Sequence, residues 1–120
     1  MLDGITLAEV VEERSRIAMQ VLVGQYRERI IELCRLHHVR RLTIFGSALR
    51  EDFDPEHSDV DFIVEFAPLP LGEYAAAYFD LSEALSRLLA RHVDLIEAGT
   101  IKNPYLQRTI EADNETLYAA

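Results

Sequence analysis

Apolar and polar positions alternate along this chain with two different periods, and the switches between them mark its elements. Leu7, Val10, Val11, Ile17, Ala18 and Val21 recur at helical spacing, and the preceding Thr6-Leu-Ala-Glu9 is a capping-box pattern that opens a helix. A second stripe of Leu22, Tyr26, Ile30 and Leu33 lies on a rotated face, and Met19 to Val23 is apolar nearly all round, just before Gly24. One straight helix over residues 6–37 would be ~48 Å long at 1.5 Å per residue. A compact domain of this size has a radius of gyration of about 14 Å. The pattern therefore predicts either a break near Gly24 or a first half that projects from the body.

Period two takes over next. Residues 41–45 read as a short strand, ended by Gly46-Ser47. Residues 48–58 carry Asp52, Asp54, Pro55, Glu56 and Ser58, which is loop chemistry. Over residues 59–66, Val60, Phe62, Val64 and Phe66 alternate with Asp59, Asp61, Ile63 and Glu65, the clearest strand of the chain. After Pro68 and Pro70, the 4-3-4-3 spacing of Tyr74, Tyr78, Leu81, Leu85 and Leu88 predicts an amphipathic helix over 73–90. A third short strand spans 93–96, and Asn103-Pro104 pairs an N-cap with proline at the first helical position, so a last helix starts there.

Composition narrows the class. At 120 residues, 49% apolar and 28% charged, the chain is expected to form one compact, soluble domain. No apolar run approaches the ~20 residues that span a bilayer. Asp3, Glu9, Glu12 and Glu13 are wrong for a secretory signal, so the expected location is cytoplasmic, with no membrane partner. The net charge of −9 argues against direct nucleic-acid binding, which depends on neutralising phosphates. Cys34 is the single cysteine, which excludes an internal disulfide and any cysteine-based zinc cluster. On an apolar stripe it reads as a small core residue.

Candidate chemistry sits on the middle strand. Asp59 and Asp61 share one face with Cβ atoms ~7 Å apart, above an apolar opposite face. Taken alone, such a pair is either a solvent-facing polar edge or two like charges that need a cation between them. A hard divalent ion with oxygen ligands, Mg²⁺ above all, meets that need. Asp94 on the third strand offers another carboxylate. Gly46-Ser47 at a strand end is either a plain turn or a place where backbone N–H groups and a hydroxyl receive a phosphate. The histidines gain no role: His37-His38 closes a helix, His57 lies in a solvated loop, and His92 merely precedes the third strand. Tyr74 and Tyr78 read as packing.

Phe45-Gly46-Ser47, Arg50, Ser58-Asp59-Val60-Asp61-Phe62, Val93-Asp94-Leu95 and Asn103-Pro104-Tyr105 together resemble the signature of the minimal nucleotidyltransferases, in the DNA polymerase β-like nucleotidyltransferase superfamily. The likeness covers roughly residues 40–118. It implies an α+β fold, a short mixed β-sheet with helices packed on one face and a long N-terminal helical segment. Residues 1–39 would form that segment and 40–120 the transferase core of a single compact domain. It implies that Gly46, Ser47 and Arg50 bind the nucleotide triphosphate together with Asp59 and Asp61. It also implies that Asp59, Asp61 and Asp94 are the catalytic carboxylates, holding two Mg²⁺ ions. Many members are antitoxins that transfer AMP from ATP to a tyrosine of a HEPN-domain RNase toxin, with which they form hetero-oligomers. Two positions depart from the family pattern: Ala48 replaces an arginine and Glu51 a glycine. Those departures keep open an antitoxin that neutralises its partner by binding alone, and small-molecule nucleotidyl transfer is a further alternative.

Overall fold

The computed structural model describes residues 7–45, 59–112 and 114–120. The first element, α1 (Leu7–Leu36), is one unbroken helix of 30 residues. It runs straight through Gly24, so of the two arrangements the periodicity allows, the break is not the one taken. Glycine costs about 1 kcal/mol against alanine in a helix interior. Here Val23, Ile30 and Cys34 are buried in the core and hold the helix on either side of it. The helix is about 45 Å long at 1.5 Å per residue, and the longest dimension of the molecule is 59 Å. The Thr6 cap lies outside the described residues. At the C-terminal end His38 turns the chain with a φ of 60°, and the next strand begins at once.

Four strands follow. They are β1 (Val39–Phe45), β2 (Val60–Phe66), β3 (Val93–Glu97) and β4 (Asn114–Ala119). Helix α2 (Glu73–Leu89) connects β2 to β3, and α3 (Pro104–Ala112) leads into β4. The sheet order is β3-β2-β1-β4. β1 pairs antiparallel with both β2 and β4, while β2 and β3 run parallel, so the sheet is mixed. The Asn103 cap forms as the sequence predicts: its side-chain oxygen accepts from the backbone N–H of Tyr105 at 2.9 Å and of Leu106 at 3.4 Å.

Alternation decides the core. Val60, Phe62 and Val64 are wholly buried on one side of β2, joined by Leu42 and Ile44 of β1 and by Val93 and Leu95 of β3. Against them pack Ile30 and Cys34 of α1 and Leu81, Leu85 and Leu89 of α2. The α2 stripe is rotated slightly from its predicted position: Ala77, Leu81, Leu85 and Leu89 are the buried ladder, and Tyr78 and Leu88 pack beside it. Burial pushes the Cys34 thiol up to about 12, as suits an inert core residue. Boundaries differ from the sequence pattern by one or two residues: β3 runs on to Glu97 and α2 ends at Leu89. β1 starts two residues earlier, at Val39, and Asp59 stands just outside β2. β4 was not predicted at all. No helix among the described residues is long and apolar enough to cross a membrane.

Candidate functional site

The site forms where β2 and β3 start side by side. Their parallel register sets Val60 opposite Val93 and Asp61 opposite Asp94. Val60 and Val93 point into the core, so Asp61 and Asp94 point out of the other face as neighbours. The ladder opens with the Val60 N–H donating to the His92 carbonyl at 3.2 Å. That bond ties the residue after Asp59 to His92. The side chains of Asp59 and His92, each two positions before a partner on its own strand, therefore share the face of Asp61 and Asp94.

The resulting cluster is tight and wet. His92 Nδ1 lies 3.5 Å from Asp59 Oδ2 and 3.5 Å from Asp94 Oδ1. The three side chains are 66%, 53% and 50% exposed in the order His92, Asp59, Asp94, and one ligand atom from each lies within 4.8 Å of the others. Asp61 and Asp94 share a side-chain hydrogen bond. Partial burial raises the Asp94 pKa first; the hydrogen bond with Asp61 and the charges of Asp61 and Asp59 raise it further, against the opposing effect of His92. A group of oxygen donors and one imidazole, converging yet open to solvent, fits a divalent cation.

Beside the carboxylates opens a cavity of about 490 Å³, lined by Phe45, Asp61, Tyr78, Phe79, His92 and Asp94 among others. The Tyr78 hydroxyl donates to the Leu95 carbonyl at 2.5 Å, which fixes its ring against β3. Phe79 stands edge-on to it, with ring centroids 5.3 Å apart and planes at 86°, and is 66% exposed. Tyr78 is thus partly packing, as read from the sequence, and partly a wall of the cavity.

Of the sequence-predicted site residues, Asp59, Asp61 and Asp94 come together. Gly46, Ser47 and Arg50 lie outside the described residues, as do Ala48, Glu51 and His57. Phe45, the last described residue before them, pairs with Asp61. His92 joins the three carboxylates, although its position before the third strand gave it no role in the sequence. The signal was present: residues 92 and 94 fall two apart at the start of a strand, and period two gives them one face.

Comparison with known proteins bears on this geometry. The nucleotidyltransferase domain family matches residues 27–114. The chain belongs to that family. Among relatives of this nucleotidyltransferase is a Methanocaldococcus jannaschii protein named as a candidate protein adenylyltransferase. It is 43% identical over 77 residues, which are 64% of this chain and 74% of the relative. A second protein of that organism, similarly named, is 36% identical over 77 residues, 64% of this chain and 75% of its own. A solved structure described as a candidate minimal nucleotidyltransferase is 28% identical with a TM-score of 0.62, covering 81% of this chain and 93% of that one. The Shewanella oneidensis structure of a tri-AMPylated HEPN toxin in complex with an MNT antitoxin matches at 21% identity and a TM-score of 0.56, over 81% of this chain and 72% of the other. That last likeness is one of fold.

Proposed function

We propose that this nucleotidyltransferase is an antitoxin that transfers AMP from ATP to a tyrosine of a HEPN-domain RNase toxin. The observation that carries the reading is the convergence of Asp59, Asp61 and Asp94 at one end of the sheet, on the rim of an open cavity. The names of the archaeal relatives and the toxin–antitoxin complexes that share the fold favour a protein acceptor. Residues 40–120 form the transferase core in this reading, and residues 1–39 the N-terminal helical segment.

Each residue has a task. Asp59, Asp61 and Asp94 hold Mg²⁺, and Gly46, Ser47 and Arg50 hold the triphosphate. Bound Mg²⁺ supplies charge neutralisation for the phosphates and acidifies the acceptor hydroxyl. The tyrosine oxygen attacks the α-phosphorus, the bond to the β-phosphate oxygen breaks, and pyrophosphate leaves. The phenolic proton passes to a carboxylate oxygen of Asp94. Phe79 and Tyr78, on the wall beside Asp94, give an incoming aromatic ring an apolar surface to lie against.

The test is to incubate the full chain with its cognate toxin, Mg²⁺ and ATP labelled at the α-phosphate. Label is expected on a toxin tyrosine, and Asp61→Asn should cut it by about 10²–10³-fold, the range for removing one group that stabilises transition-state charge. A toxin that is captured and silenced without label would instead establish neutralisation by binding alone.

A further inference from the structure

We infer that His92 is a metal ligand, and that its nitrogen shifts this site towards a first-row transition ion such as Mn²⁺ relative to Mg²⁺. The inference rests on the nucleotidyl-transfer reading only for the presence of a divalent cation at Asp59 and Asp94.

The geometry is specific. His92 Nδ1 sits 3.5 Å from a carboxylate oxygen of Asp59 and 3.5 Å from one of Asp94. Both separations are ion-pair distances, longer than the 2.7–3.2 Å of an ordinary N–H···O hydrogen bond, and they are equal, so the ring is shared between the two carboxylates. The nitrogen occupies the third corner of a triangle whose atoms all lie within 4.8 Å of one another. The backbone at His92 is not free to carry it away, because its carbonyl accepts the first bond of the β2–β3 ladder from Val60. Nor is the ring sheltered: it is 66% exposed, which leaves room for water or phosphate oxygens on the remaining positions of an ion.

The donor chemistry then sets the preference. Mg²⁺ demands oxygen ligands and near-ideal octahedral geometry, and it keeps its waters. Imidazole contributes more to first-row transition ions, whose affinities rise from Mn²⁺ towards Cu²⁺. Three carboxylates alone would be a hard site. Replacing one oxygen donor by Nδ1 shifts it towards softer ions. The rival arrangement is an imidazolium clamped between Asp59 and Asp94 as a counter-charge, which would compete with any cation for the same space.

Mn²⁺ binding to the full chain, followed by electron paramagnetic resonance with Mg²⁺ as competitor, separates the two. Wild type, His92→Ala, His92→Asn and Asp59→Asn are compared. Wild type should show ¹⁴N modulation of the bound Mn²⁺ echo, and His92→Ala should lose it. His92→Ala should weaken Mn²⁺ roughly tenfold or more, the lower end of what even an outer-shell partner costs, while Mg²⁺ changes little. His92→Asn, which returns an oxygen donor, should bring the two ions closer in affinity. Mn²⁺ that binds wild type and is lost in Asp59→Asn, but without ¹⁴N modulation and with the same Mn²⁺ to Mg²⁺ ratio in His92→Ala, would overturn the ligand role and leave the carboxylate site standing. Tighter Mn²⁺ binding in His92→Ala would establish the clamp instead. Failure of wild type to bind Mn²⁺ with or without ATP would remove both the inference and the reading beneath it.

Discussion

At Asp94 several influences act on one carboxyl: partial burial, the hydrogen bond with Asp61, and the charges of Asp61, Asp59 and His92. The balance raises its pKa in the folded chain above the ~3.9 of a free aspartate. A raised folded value means the native state holds this proton more tightly than the unfolded state does. The stability it contributes is complete below the unfolded value and is lost as pH rises through the folded one. In metal-free buffer, wild type should therefore lose thermal stability from about pH 4 upward, to an extent that Asp94→Asn relieves. The amide keeps a donor towards Asp61 without the charge. Melting temperatures in chelator across pH 4–8 check this, and a variant that melts well below wild type at pH 7 would contradict it. The same crowding explains why the carboxylates were legible in the sequence while His92 was not. Asp59 and Asp61 are two apart on a strand whose other face is apolar, and that pattern is local. His92 becomes significant only when β3 is laid parallel to β2, and no pattern within either strand states that register.

Among the elements, helix α1 was legible as helix, but its continuity was not. Glycine at position 24 is a local signal for interruption, whereas the packing of Val23, Ile30 and Cys34 against the sheet is non-local and prevails. A side chain at this position would meet nothing within 4 Å. Gly24→Ala should then stabilise the chain by about 1 kcal/mol, the difference in helix propensity, raising the midpoint of urea unfolding without changing its slope. A lower midpoint would mean that the helix needs the freedom of glycine there. β4 shows the opposite limit. Asn-Glu-Thr-Leu-Tyr-Ala offers only Leu117 as a wholly buried residue, too little alternation to announce a strand. It is a strand because β1 has an open edge for it. β1 itself was read short by two residues, since Val39 and Arg40 follow directly on the helix end and the turn at His38.

For the whole molecule, the carboxylates of β2 and β3 are brought together across the intervening helix α2, so the site exists only once the parallel pair has closed. Three clustered acids, two of them half-exposed, on a chain of net charge −9 repel a triphosphate unless a cation lies between. Mg²⁺ and ATP together should raise the melting temperature by more than the sum of their separate effects, because each completes the other's coordination. Equal ATP affinity in chelator and in Mg²⁺, measured by calorimetric titration, would contradict that coupling.

The last strand has a bearing on solubility. β4 covers the flank of β1, pairing Arg41 with Ala119, Leu42 with Tyr118 and Phe45 with Asn114, and the Ala120 N–H reaches the Arg40 carbonyl at 2.8 Å. Without it, β1 would present a bare row of N–H and C=O groups, bearing buried-type side chains such as Leu42 and Ile44, to any other copy of the chain. Such an edge is a template for intermolecular pairing. A protein cut after residue 112 should accordingly scatter light and form oligomers at concentrations where the full chain stays clear. β4 thus acts as a guard against aggregation, although it contributes no side chain to the carboxylate cluster.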